Sequence, residues 1–288
     1  MSLSTTLPDD LPWTEHNAFV LVDGATRRDL PGLFATLAPS SPRVALYDCT
    51  RFRGLSDVSP LLVQISGPDH PALDFYLEHA AQEWGLLLFS AQPAHEVARH
   101  LRTLLTVELP TGQEVFLRLA DAAVAQVLFR GAPQNLFGPL SQVVIPDSVT
   151  TTWHRHRPAR GKTAPLIPPY RLSPEHNSAL DHVDRRRTLL DLDNHLRTQF
   201  PHWRAEQSLA QRWPLLEQWT NEAQQLGLGY TAELYYYANI MAWLGDAGVH
   251  PHPAIAQLLH GPSPQPIGER VAHAAELAHH IATHRERP

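Results

Sequence analysis

Apolar residues in the first half of the chain fall in short unbroken runs, whereas in the second half they recur every three to four positions. Residues 18–23 (AFVLVD), 43–47, 61–65 and 85–90 (GLLLFS) are runs of strand length. Successive strand side chains point to opposite faces, so an uninterrupted apolar run predicts a strand covered on both. Residues 28–37, 71–83 and 93–103 have helical patterning, and the last two open on a proline suited to a first helical turn. The runs 104–109 and 115–119 flank Pro110-Thr111-Gly112 and predict a hairpin, followed by another helix up to Phe129. These elements predict an α/β lobe built on a mixed sheet, residues 1–147.

From Ile145 the texture changes to IPDSVTTTWHRHRPARGKTAPLIPPYRLSP, rich in proline, threonine and arginine. Arg155, Arg157, Arg160, Lys162 and Arg171 have no acidic residue among them, and residues 148–172 read as an exposed connector. Ser173-Pro174-Glu175 then starts a helix, with serine as cap and proline in the first turn. That helix carries Leu180, Val183, Leu189, Leu192, Leu196 and Phe200 on one side and is closed by Pro201. Helices over 214–226, 231–244, 253–260 and 267–284 complete an all-α lobe, residues 173–288. The expected class is therefore α/β plus all-α.

Composition narrows the function. At 288 residues with a 43% hydrophobic share the chain has ample core for two domains, since a domain takes roughly 100–200 residues. Its net charge of −6 gives no general attraction to nucleic acid or anionic lipid. The start, MSLSTTLPDDLPW, lacks the basic-plus-apolar pattern of a signal segment, and no apolar run approaches the ~20 residues that span a bilayer. A soluble, cytoplasmic protein is expected, with no membrane or nucleic-acid partner. Cys49 is the one cysteine and reads as a buried, inert thiol at the end of an apolar strand. Lys162, the one lysine, lies in the connector.

Eighteen histidines invite a metal reading, which spacing tests. His95-Glu96 with His100 is one residue longer than a zincin motif, placing the imidazoles about 140° apart on a helix and unable to share a zinc. His154 with His156, and His250 with His252, would share a strand face and read as incidental surface pairs. His273, His280 and His284 flank the packing stripe of the last helix without a completing carboxylate. Gly161-Lys162-Thr163 mimics the end of a phosphate loop, but His156 stands where its first glycine belongs. No G-x-S-x-G or G-x-G-x-x-G pattern occurs. Residues 78–129, the most ordered stretch, place no nucleophile or acid–base pair. No catalytic residue, cofactor or metal ligand is assigned. Arg185-Arg186-Arg187 reads as a solvated, salt-bridged helix face. Tyr235-Tyr236-Tyr237 spans most of a helical circumference, so at least one ring faces away from the local core, either packing between lobes or anchoring a partner.

Several motifs, in order, resemble the type VI secretion effector chaperone (adaptor) family, long catalogued as a domain of unknown function. They are FVLVDGA at 19–25, WGLLLFS at 84–90, His100-Leu101-Arg102 leading into a strand–turn–strand, and Phe137-Gly138-Pro139. Where the family has an Arg-Phe-Tyr-Asp-Pro type motif, this chain has Arg118-Leu119-Ala120-Asp121-Ala122, keeping Arg118 and Asp121 and losing the aromatics and the proline. The resemblance covers about 19–146 well and the helical half more weakly. It implies a non-enzymatic protein that binds a toxic effector in the cytoplasm and helps load it on the secretion spike, VgrG or a PAAR-type tip. Motif position and exposed aromatics place the expected partner surface at Arg118 and Asp121, with Tyr235, Tyr236 and Tyr237 across a cleft. The alternative is a hydrolase or metal-dependent enzyme with a histidine-containing site between the lobes.

Overall fold

The computed structural model describes residues 7–27, 29–159 and 165–285. Arg28, the expected start of the first helix, and Arg160, Gly161, Lys162 and Thr163 of the expected connector lie outside the described residues. Internal contacts divide the chain between Val183 and Asp184 into two units.

The N-terminal unit is organised by a six-stranded sheet of order β2-β3-β1-β4-β7-β8. Its strands are β1 (Asn17–Val22), β2 (Arg43–Ala45), β3 (Leu61–Ile65), β4 (Gly85–Ser90), β7 (Leu140–Asp147) and β8 (Thr152–His156), each antiparallel to its neighbours. A second sheet pairs β5 (Thr106–Glu108) antiparallel with β6 (Glu114–Phe116) and parallel with β9 (Tyr170–Arg171), so the unit as a whole is mixed.

Both faces of the central strands are buried, as their unbroken apolar runs require. In the β1–β4 register Phe19 lies opposite Leu88 and Leu21 opposite Leu86. These four share one core with Val97 and Leu101 of α3 (Ala94–Arg102) and Leu128 of α4 (Ala122–Phe129). The alternate residues Val20, Val22, Leu87 and Phe89 enter a second core on the other face. There they meet Phe34 of α1 (Leu30–Leu37) and Leu73 and Tyr76 of α2 (Pro71–His79).

Two outcomes differ from the sequence reading. β2 stops at Ala45, and the chain turns so that Cys49 adopts a left-handed φ of 60° and is exposed, not buried. The turn follows because Leu46 and Tyr47 drop into the core while Tyr47 N–H bonds the Ser59 hydroxyl at 3.0 Å. Within 148–172, Thr152–His156 forms an edge strand paired to β7 along its length. An edge suits this basic stretch, since one side of the strand keeps its access to solvent.

The helical unit contains the second half of α6 (Pro174–Gln199), α7 (Leu209–Gln225), α8 (Thr231–Leu244), α9 (Pro253–His260) and α10 (Ile267–Arg285). Leu192, Leu196, Leu216, Trp219, Ile240 and Val271 form its centre. α7 begins earlier than residue 214 because Ser208 and Gln211 make a reciprocal capping box, and Pro214 is carried inside the helix. Beneath it the buried Arg212 guanidinium makes a two-pronged pair with Asp193, Nε to Oδ1 at 2.6 Å and Nη2 to Oδ2 at 2.8 Å. Removing one partner strands a buried charge, which typically costs about 3–5 kcal/mol. Asp193→Ala is expected to lose stability of that order in urea unfolding, while replacing both residues with apolar ones recovers most of it.

Candidate functional site

Residue chemistry concentrates where β1 ends. The buried Asp23 carboxylate accepts from the Ala25 N–H at 3.0 Å, the Thr26 hydroxyl at 3.2 Å and the Arg118 guanidinium. Its own N–H donates to Trp84 C=O at 2.8 Å. Gly24 follows because nothing larger fits: a Cβ there would lie 2.2 Å from the Ser59 carbonyl oxygen. Three residues past Arg118, Asp121 caps α4, its carboxylate accepting from the N–H groups of Ala123 at 3.0 Å and Val124 at 3.2 Å. Tyr47 completes the group. Burial, then the Asp23 carboxylate, push its phenol up to about 12 against the opposing Arg118 charge, so it keeps its proton at neutral pH.

The other motifs that carry the resemblance also bond to the fold. Trp84 Nε1 donates to His79 C=O at 2.9 Å, and the Ser90 hydroxyl donates to Pro139 C=O at 2.7 Å. His100 Nε2 lies 2.8 Å from Leu136 C=O, and its ring packs on Gly138, where a Cβ would sit 2.3 Å from Nδ1. Arg102 clamps β2 through the carbonyls of Leu46 at 3.0 Å and Ala45 at 3.2 Å. Burial lowers the His100 imidazole below its ordinary range, so it acts there as a neutral donor.

Of the five residues expected at a partner surface, Arg118 and Asp121 belong to this N-terminal group, and Arg118 leaves 37% of its side chain exposed. The tyrosines stand on α8 in the helical unit and divide by face. Tyr235 stacks on His195 with ring centroids 4.4 Å apart, and His195 Nε2 contacts Asn239 Oδ1 at 2.8 Å. Tyr237 is buried and donates its hydroxyl to Glu222 at 2.8 Å. Tyr236 projects outward, 42% exposed. Two exposed aromatics escaped the sequence reading. Tyr230, at the N-terminal cap of α8, was signalled by its place after Gly227 and Gly229, and Phe116 by the end of the hairpin.

His154, His156 and the arginine run have structural partners. His154 and His156 share a face of β8 with near-parallel rings; His154 lies 3.1 Å from Asp147 Oδ2 and His156 2.6 Å from Gln126 Oε1. Arg185 bonds Asn221 and Gln224, Arg186 lies over Trp213, and Arg187 pairs with Asp184. Among the described residues no group of three His, Cys, Asp or Glu could hold a metal ion. No helix among them is long and apolar enough to cross a membrane.

Residues 18–135 match the family described as Domain of unknown function (DUF4123). The matched residues lie within the N-terminal unit, whose motifs resemble the type VI secretion effector chaperones. Over 273 residues the chain is 28% identical to accessory protein VasW of Vibrio cholerae serotype O1, an alignment covering 92% of this chain and 89% of that protein. No solved structure matches the chain. Domain and relative together support an adaptor role associated with type VI secretion.

Two outcomes follow from this geometry. Asp121→Ala removes a helix cap and is expected to lower stability by about 1 kcal/mol in denaturant unfolding, with α4 fraying first in hydrogen exchange. His156 is lowered to about 4 by burial, then by the neighbouring charges of His154 and Arg130. On acidification the unfolded chain takes up this proton first, so the contribution of His156 is full above about pH 6.5 and is lost as pH falls towards 4. The thermal midpoint is expected to decline across that window, and less steeply in His156→Gln.

Proposed function

We propose that this protein is a cytoplasmic chaperone, or adaptor, that binds a type VI secretion effector and helps load it on the spike, VgrG or a PAAR-type tip. The DUF4123 match over residues 18–135 carries this reading. The relative, named an accessory protein, aligns along both units, which supports a role for the helical unit as well. The reading is non-catalytic. Its site groups are engaged in holding the fold, and the binding step needs only exposed apolar area and polar groups able to exchange water for a partner.

Within this reading Arg118 and Asp121 on the N-terminal unit and Tyr235, Tyr236 and Tyr237 on the helical unit each serve partner binding, and they contribute differently. Tyr236 offers an exposed amphipathic ring, the residue type that most often anchors an interface. Arg118 offers the uncovered part of its guanidinium. Asp121, Tyr235 and Tyr237 hold those groups in place, through the α4 cap, the His195 stack and the Glu222 bond.

Co-expression with a type VI effector from the same organism tests the proposal. The tagged chain is expected to retain that effector through purification, and its deletion is expected to remove the effector, but not the spike, from the secreted fraction. Tyr236→Ala should reduce recovery several-fold in a variant that unfolds like wild type, whereas Tyr237→Phe should reduce stability and leave recovery nearly unchanged. An effector that is secreted normally without this chain sinks the reading.

A further inference from the structure

The histidines of this chain divide by what their rings touch. His100, His156 and His195 are engaged with the fold, through Leu136 C=O, the Gln126 amide and the Asn239 amide. His280 and His284, near the end of α10, differ. Both are exposed, and among the described residues neither imidazole has a hydrogen-bond or ion-pair partner. What each ring does touch is the other, with centroids 4.1 Å apart and planes at 78°. The neighbouring His279 turns away from the pair and lies against Trp243.

Four residues advance a helix by about 400°, which leaves the two side chains ~40° apart and one turn along the axis. That is the spacing at which two helical imidazoles share one ion, and the five-residue separation of His95 and His100 fails it. An imidazole nitrogen binds zinc at about 2.0–2.1 Å, so two rings on adjacent coordination positions stand with centroids about 4.5–5 Å apart. A small rotation of either exposed ring opens the observed contact to that distance. The position adds a second argument. His284 lies in the last turn of α10, where unpaired carbonyls form the negative end of the helix dipole and favour a cation.

We propose that His280 and His284 chelate a divalent transition-metal ion of the zinc, copper and nickel class. Imidazole suits these ions, whereas magnesium and calcium take oxygen ligands. Among the described residues no third His, Cys, Asp or Glu completes a set, so water fills the remaining positions and the ion exchanges with solution. Chelation across one turn fixes the end of α10, where a helix ordinarily frays. The inference is independent of the effector-binding reading.

Titration of the full chain without a histidine tag, using Cu2+ and Zn2+, tests the site. Cu2+ is expected to broaden the NMR amide signals of residues 280–284 at the lowest metal ratio. Zn2+, but not Mg2+, is expected to slow amide exchange there, and a chelator should reverse both effects. His280→Gln and His284→Gln alter exposed side chains, so their metal-free unfolding midpoints should match wild type. Each should weaken Cu2+ binding at this helix end about tenfold or more, the loss typical of removing even a group that only orients a ligand. His273→Gln, on the same face but about 10 Å along the axis from His280, should leave that binding unchanged. Broadening that begins at other histidines, or that persists at 280–284 in both variants, overturns the site. So does broadening there that depends on chain concentration, which assigns the ion to a bridge between two copies.

Discussion

The N-terminal unit depends on β1 and β4 being apolar on both faces. Phe19 and Leu21 cannot be shielded by the helices that cover Val20 and Val22, because the pleat sends them to opposite sides. A sheet with such a centre needs helices above and below, and the connections provide them: α1 and α2 on one side, α3 and α4 on the other. Once both layers are in place, the ends of the central strands are the positions where loops converge and polar residues gather. The group around Asp23 occupies one such end.

That group and two further contacts tie together motifs far apart in the chain. Arg118 reaches back 95 residues to Asp23, Ser90 is tied to Pro139, and His100 rests on Gly138. Each bond joins one motif to another or to a neighbouring strand. Their chemistry is intramolecular: carboxylate with guanidinium, hydroxyl with carbonyl, imidazole against a glycine that has no Cβ. Left exposed beside them are the rim of Arg118 and the tyrosines that α8 and its cap turn outward.

The helical unit rests on a different device. Its core is aliphatic and aromatic, yet a bidentate Arg212–Asp193 pair is buried beneath the start of α7. Such a pair adds little to net stability but strongly penalises any packing that separates its members. It therefore fixes which turn of α6 meets which turn of α7. The three successive tyrosines of α8 then take three environments, one stacked, one exposed and one bonded to Glu222.

Much of this was legible in the chain. Unbroken apolar runs marked β3 and β4 at their observed bounds, and caps and prolines marked most helices, because those signals depend on nearest neighbours. The α/β-then-helical order and the family resemblance followed from the same local patterns. β8 was not legible: TWHRH has no apolar run, and only its pairing with β7 makes it a strand. The exposure of Cys49 also required the folded chain, since it depends on where β2 ends and on the bond from Tyr47 N–H to the Ser59 hydroxyl, twelve residues on from Tyr47. The same holds for the site. Sequence supplied Arg118, Asp121 and the tyrosines as candidates by type and position. Which of them faces water, and which is held by Asp23, His195 or Glu222, was decided by contacts between residues distant in sequence, and no local pattern encodes those.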